Sequence, residues 1–513
     1  MLRKIGVLGV AVVALGLAGC GGTDTPTAAV ASSTDRGTLV DNPPLRVASL
    51  DASDLGSELS ASTSGQQLVE LAGTPTCGVD FYYIKFWTIA NSAPGQDAPL
   101  MDSAALMVPT GSAAPCTGQR PIVEYAHGTT TDSAYNIADI ADTSNSANTE
   151  SVLIAAVFAA QGYIVVAPNF AGYDISNLGY HPYLNAAQNS AEMMDALAAA
   201  RAALPNTFTP ATTDSGTLFL TGYSEGGYVA MATARAMQAA GDTVTAAAPM
   251  SGPYALEAFG DAVFFGDVNI DSTVFAPLIT TSYQKAYGNI YTQPSDFYSA
   301  QYANGIETLL PSATPITTIF QEGLLPEAAL FDSQPDISPT IDALLAPPAN
   351  NPVADAGFGV PFLINDSARV AYLEDALANP DGAVPTPTAG VPLAASPQYP
   401  LRQDFKTNDL RNWTPKMPML LCGGSDDPTV YFSVNTDTMA AYWAPLVSAG
   451  QITVLDLNAT PQSGSPFSAL QVALQDAEAQ LVAADGEAVA LESFHTTEAP
   501  FCTVAARGFF SQF

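Results

Sequence analysis

Basic residues are scarce in this chain: 15 Lys and Arg stand against 49 Asp and Glu among 513 residues, a formal charge of −34. Gripping a nucleic-acid backbone requires clustered cations, and no basic run occurs after residue 4, so nucleic acid is excluded as a partner. The same imbalance repels anionic lipid and acidic substrates, favours neutral ones, and helps keep an exported chain soluble. Histidine is scarcer still, with three in all. The five cysteines form no C-x-x-C and no Cys/His cluster, so a zinc site is not indicated. There is no internal repeat of the kind that builds propellers or solenoids. Only 12% of residues are charged and 48% are hydrophobic, so the chain has material for a large core and disorder is not expected.

The first residues read as an address. Arg3 and Lys4 precede an apolar stretch from Ile5 to Leu17, which is too short for an ordinary transmembrane helix. It ends Leu17-Ala18-Gly19-Cys20, which resembles a bacterial lipobox. That resemblance implies a lipoprotein signal peptide over 1–19, a lipid on Cys20 as the new N-terminus, and so a membrane anchor. Gly21 in place of Asp implies the outer membrane where the host has one. Residues 20–48 are rich in Thr, Ala, Ser, Asp and Pro and read as a flexible tether. With Cys20 lipidated, four cysteines remain, an even number that suits two disulfides in an exported protein.

Beyond residue 78 the pattern changes. Val79–Ile89 and Ser103–Val108 suggest an antiparallel start. Short, nearly continuous apolar runs follow at Ile122–Ala126, Tyr163–Ala167, Leu218–Thr221, Val244–Ala248, Met417–Cys422 and Ile452–Leu455. Such runs suit strands buried on both faces of a mainly parallel sheet. Ala-rich helical patterns at Ala186–Ala203 and Glu225–Ala240 lie between them, so the expected class is a doubly wound α/β fold. The alternation lapses over 256–414, a stretch rich in proline, aromatics and short amphipathic pieces. A structureless loop of that length is implausible, so this segment is expected to be a mostly helical cap, inserted between core segments 49–255 and 415–513.

The chemistry centres on Gly222-Tyr223-Ser224-Glu225-Gly226, the one G-x-S-x-G in the chain. It follows a strand pattern and opens a helix pattern, the context of a nucleophile elbow. A sharp strand-to-helix turn leaves no room for side chains at 222 and 226, and places the helix N-terminus where it favours developing negative charge. A serine needs a base, and the triad on this fold runs Ser, acid, His in chain order. Of His127, His181 and His495, only His495 lies far downstream. His127 sits in the Glu124–Thr129 segment, where an oxyanion loop belongs. Gly128 would let that loop turn, and the amides of Thr129 and Glu225 are the expected oxyanion donors, with His127 itself structural. His181 can line the pocket or pack. The acid is expected after the strand that follows the cap, where Asp426 and Asp427 compete. The G-x-x-D-x-x-V spacing of Gly424, Asp427 and Val430 favours Asp427. The triad would draw Cys422 and Cys502 together, and Cys77 and Cys116 bracket the first antiparallel strands, so the expected bridges are Cys77–Cys116 and Cys422–Cys502.

Together the HGT loop, the GYSEGG elbow, the GGSDDPTV turn and the late SFH resemble bacterial secreted α/β-hydrolases related to the secretory lipases, over about residues 75–510. The resemblance implies the α/β-hydrolase fold and hydrolysis of neutral carboxylic esters through an acyl-enzyme, without a cofactor. Two other classes stay open: a serine peptidase on the same fold, and a surface protein that uses the fold only for binding.

Overall fold

The computed structural model describes residues 35–61, 63–91, 97–334, 352–382 and 393–513. The signal-peptide reading, Cys20 and most of the tether reading fall outside them. Nine strands form one sheet in the order β1-β2-β3-β5-β4-β6-β7-β10-β11. They are β1 (Leu45–Leu50), β2 (Gly78–Asn91), β3 (Asp97–Thr110), β4 (Gly118–Ala126), β5 (Ile164–Pro168), β6 (Thr212–Tyr223), β7 (Ala246–Met250), β10 (Met419–Gly423) and β11 (Ile452–Asp456). Two-residue strands β8 (Phe331–Asp332) and β9 (Phe358–Gly359) pair separately.

The first three strands and β5 meet antiparallel, and every junction from β5 through β11 is parallel. Strands β5, β7 and β10 are buried along their whole length, which is why they read as unbroken apolar runs. Sheet order steps backward from β4 to β5 and forward from β5 through β6 to β7. Right-handed crossovers therefore place Asn148–Val157 on one face and Ala186–Ala203 with Glu225–Ala240 on the other. The two Ala-rich helices pack against each other and against the sheet, their small side chains allowing close approach. This is the α/β-hydrolase fold.

One boundary differs from the sequence reading. Residues 45–48, assigned there to the tether, belong to edge strand β1, which pairs with β2; Leu39 already bridges to Phe86. The strand hides from sequence inspection because an edge position leaves Leu45 and Val47 exposed, and its neighbours are turn-forming residues.

Between β7 and β10 the described residues carry the helices Leu256–Phe265, Ser272–Tyr287, Ile316–Gln321, Pro352–Ala356, Asp366–Ala378 and Pro400–Asn408, but these make up less than half of them, so the described part of the insertion holds more turn and loop than the sequence reading expected. Buried ion pairs knit them together. Arg402 reaches Asp261 at 2.8 Å and Asp375 at 2.9 Å, and Arg411 reaches Asp381 at 2.6 Å and Asp409 at 2.9 Å. Each guanidinium is fully buried, so removing one partner would strand a charge away from water. No described helix is long and apolar enough to cross a membrane.

The disulfides are Cys77–Cys116 and Cys422–Cys502. The first ties the start of β2 to the approach to β4; the second ties β10 to the C-terminal helix Phe494–Phe510. Replacing Cys77 and Cys116 with Ala should lower unfolding free energy by about 2–4 kcal/mol, read as a lowered midpoint in urea, with a slope that stays the same or steepens as the unfolded chain expands. An unshifted midpoint would mean that the bridge does not constrain the unfolded chain.

Candidate active site

The candidate residues gather beyond the C-terminal ends of the parallel strands, where open α/β sheets bind ligands. Ser224 follows β6, Ser251 follows β7, Asp427 follows β10, and the His127–Thr129 loop follows β4. His495 arrives on the last helix.

Ser224 occupies φ 60° and ψ −122°, a conformation that disfavours any side chain and is held here by its surroundings. Its N–H donates to the Met250 carbonyl at 3.0 Å. A Cβ on Gly226 would lie 1.9 Å from the Ala126 carbonyl oxygen, and one on Gly222 would lie 2.4 Å from that of Gly226. The elbow therefore requires both glycines. Glu225 begins the helix, so its N–H has no acceptor within the helix.

Asp427 is buried, whereas Asp426 is exposed. Asp427 Oδ2 accepts from His495 Nδ1 at 2.7 Å and from Ser251 Oγ at 2.9 Å. Its Oδ1 accepts the Thr429 and Val430 amides at 2.8 and 3.1 Å. The aspartate paired with the histidine is the one that the spacing favoured. Asp426 instead offers its amide to Asn458. Burial opposes charge on His495, but the Asp427 carboxylate and its hydrogen bond, with Asp271 behind them, outweigh that and raise its pKa above the ordinary 6.5. His495 Nε2 is buried and has no hydrogen-bond partner among the described residues, leaving it available to a reacting group. Asp427, His495 and Glu498 bring potential metal-ligand atoms within 4.8 Å of one another. The Nδ1–Oδ2 hydrogen bond uses the same lone pairs a metal would need, so the donor set fits a proton couple better than an ion.

Ser224, Thr129 and His495 border a cavity of about 1380 Å³. Leu55, Leu59 and Leu68 from the N-terminal helices form part of its wall, and Phe275, Ile316 and Phe320 come from the insertion. A narrower apolar space of about 90 Å³ also reaches Ser224, lined by Leu256, Phe259, Val263 and Ile279. Among the described residues no hydrogen bond engages the Thr129 amide; the Thr129 hydroxyl lies 2.8 Å from that of Tyr183. Gly128 behaves differently from the sequence reading. Its φ is not positive, a Cβ there would make ordinary contacts, and its N–H goes to Glu150 at 3.2 Å.

The other histidines lie in the core. His127 is buried, with its ring nitrogens against the carbonyls of Gly128 and Asn169 at 2.7 and 3.1 Å, and its ring packs on Phe170 and Tyr135. His181 is 1% exposed and packs rather than lines either space: it pairs with the Glu225 side chain at 2.5 Å, bracing the residue after the nucleophile. Sequence reasoning also passed over Ser251, Tyr223 and Glu498. Glu498 follows His495 at i+3 on one helix, a spacing that puts both on one face; that was the available signal.

Residues 149–265 match the sequence model of the prolyl oligopeptidase family, a span that includes the elbow. No curated protein matches the sequence. Over most of the chain the fold is that of known hydrolases. The ligand-bound rice cell wall degrading esterase LipA from Xanthomonas oryzae is 25% identical, covering 93% of this chain and 100% of its own, with a TM-score of 0.66. A Legionella pneumophila protein classed as a hydrolase is 17% identical, covering 92% and 97%, with a TM-score of 0.62.

The His495–Asp427 couple has a direct spectroscopic consequence. An NMR titration should place the His495 midpoint above 6.5. Asp427→Asn should move it down, because burial then acts against the charged form with less opposition. Asp426→Asn should leave it in place; equal shifts from both would remove the special role of Asp427.

Proposed function

We propose that this protein is an exported serine carboxylic-ester hydrolase with Ser224 as nucleophile, His495 as base and Asp427 as the acid that orients it. One observation carries the reading: a strained serine on a glycine-framed elbow shares its cavity with a histidine held by a buried aspartate. The likeness to the LipA esterase over nearly the whole chain supports it.

Ser224 Oγ would attack the ester carbonyl as His495 Nε2 takes its proton. Asp427 holds Nδ1 and favours the imidazolium. The Thr129 and Glu225 amides would receive the oxyanion. The imidazolium then protonates the leaving alcohol, and water repeats the cycle on the acyl-enzyme. A neutral substrate suits a chain of charge −34, and the apolar spaces at Ser224 suit an acyl group with hydrocarbon character. Lipids, short soluble esters, aromatic esters and aliphatic polyesters all meet that description. The 256–414 segment, which lends Phe275, Ile316 and Phe320 to the cavity wall, would act as the cap. Anchoring through Cys20 would hold the enzyme at the outer membrane or cell surface.

The match over 149–265 favours a second reading, a serine peptidase on the same fold. Matched ester and amide substrates separate the two, with ester hydrolysis expected and faster amide cleavage favouring the peptidase.

Ser224→Ala should lower turnover by about 10⁴-fold or more while the chain stays folded, and retention of a tenth of the rate would remove Ser224 as nucleophile. Asp427→Asn should lower turnover by about 10⁴-fold, as the corresponding change does in trypsin. Cys20→Ser should release the protein or leave it unprocessed; unaltered fractionation and migration would refute lipidation.

A further inference from the structure

Glu498 is fully buried beside the Asp427–His495 couple, and the proposed mechanism does not use it. Its Oε1 lies 2.8 Å from the Tyr223 hydroxyl, and its Oε2 has no hydrogen-bond partner among the described residues. The same Tyr223 hydroxyl also contacts the main-chain carbonyl of His495. Its ring packs on the His495 ring with centroids 4.9 Å apart.

A phenol carries one proton, and here it meets two groups that an ionised Glu498 would make acceptors. The peptide carbonyl can only accept. Both contacts are satisfied together in one arrangement: Glu498 carries a proton and donates it to the Tyr223 oxygen, while Tyr223 donates to the His495 carbonyl. Among the described residues the other nearby donors are committed to or shared with Asp427, although the Ser251 hydroxyl also reaches Glu498. The Ser251 hydroxyl and His495 Nδ1 both give their protons to Asp427. Asn458 Oδ1 and the Phe494 ring close the space around Gly424 beside Oε2. An ionised Glu498 would thus be a second buried carboxylate next to Asp427, with its Oε2 lacking a close hydrogen bond and its donors shared with other acceptors.

We propose that Glu498 is a positioning residue for the reaction, a neutral carboxylic acid that directs the Tyr223 proton onto the His495 carbonyl and so fixes the imidazole against Ser224. The inference rests on the ester-hydrolase reading of the same site. When Glu498 ionises, it becomes the stronger acceptor, draws the Tyr223 hydrogen bond away from the His495 carbonyl, and releases the first turn of the His495 helix.

The titratable groups around it are Asp427 from the turn after β10, His495 on its own helix, Tyr223 from β6 and Tyr254 after β7, with Asp271 of the insertion acting on His495. Burial and the neighbouring Asp427 push the Glu498 carboxyl up to about 8, against the opposing pull of His495 and of hydrogen bonds from Ser251 and Tyr223. Burial and Glu498 hold the Tyr223 phenol well above its ordinary 10, so Tyr223 stays protonated while Glu498 titrates.

The test compares wild type, Glu498→Gln and Glu498→Leu in two readouts: kcat and KM on p-nitrophenyl butyrate, and the rate of fluorophosphonate labelling, from about pH 5 to about pH 10. Wild type should lose kcat and labelling rate as pH rises past about 8, with KM nearly constant. Glu498→Leu should lower kcat about tenfold at neutral pH, again with little change in KM. Glu498→Gln, which donates through its amide and cannot ionise, should restore most of that rate and abolish the alkaline decline. Loss in the Gln variant as deep as in the Leu variant, or an alkaline decline that persists in Gln, would overturn the proposal. So would a wild type with no decline. A wild type inert in both readouts would instead overturn the ester-hydrolase reading and this inference with it, whereas an active wild type confines any failure to Glu498.

Discussion

The hydrogen bond between His495 Nδ1 and Asp427 Oδ2, 2.7 Å long and away from solvent, is the contact on which the candidate site depends. It joins groups that approach from different parts of the fold, a turn leaving β10 and a helix that ends the chain. The Asp427 carboxylate also receives two amides of its own turn and the Ser251 hydroxyl. With four donors around it, the buried carboxylate has both oxygens hydrogen-bonded while one of them orients an imidazole. The Cys422–Cys502 bridge covalently joins the same strand and helix. The turn that presents the acid and the helix that presents the base are thereby constrained as one unit.

Ser224, which borders the same cavity as His495, is placed by a different physical device, close packing of backbone on backbone. Strand β4 lies beside β6, and the Ala126 carbonyl comes so near the elbow that only glycine fits at 222 and 226. The Met250 carbonyl, at the end of β7, receives the Ser224 amide. Two neighbouring strands thus over-determine a conformation that the isolated chain would avoid. The buried His181–Glu225 pair braces the next residue from below. Strain at the serine, its amides and its framing strands form a single rigid piece, which is what a preorganised site requires.

Around that rigid piece the walls are of another kind. The described part of the insertion is held by arginines buried among carboxylates and by aromatic packing such as Phe264 on Tyr372. Its helices and the N-terminal helices Ala52–Ser60 and Thr63–Ala72 bound the space in front of Ser224 from different directions. The walls of the space in front of Ser224 therefore come in part from segments whose sequences carry the least regular pattern.

The elements legible in the sequence are those with a strong local cause. Fully buried parallel strands read as apolar runs, the Ala-rich helices beside them read as helices, and the elbow read as a glycine-framed serine, because sterics dictate those residue types wherever the motif occurs. The small number of histidines made His495 identifiable by elimination, and turn spacing favoured Asp427 over its neighbour. Edge strand β1 escaped because one exposed side removes the apolar pattern. The pairing of His181 with Glu225, the amide of Gly128 turning to Glu150, and the placement of Tyr223 and Glu498 behind His495 were decided by tertiary structure alone. Each depends on which buried donors and acceptors are left to meet after the sheet has closed, and no local window of sequence contains both partners of such a contact.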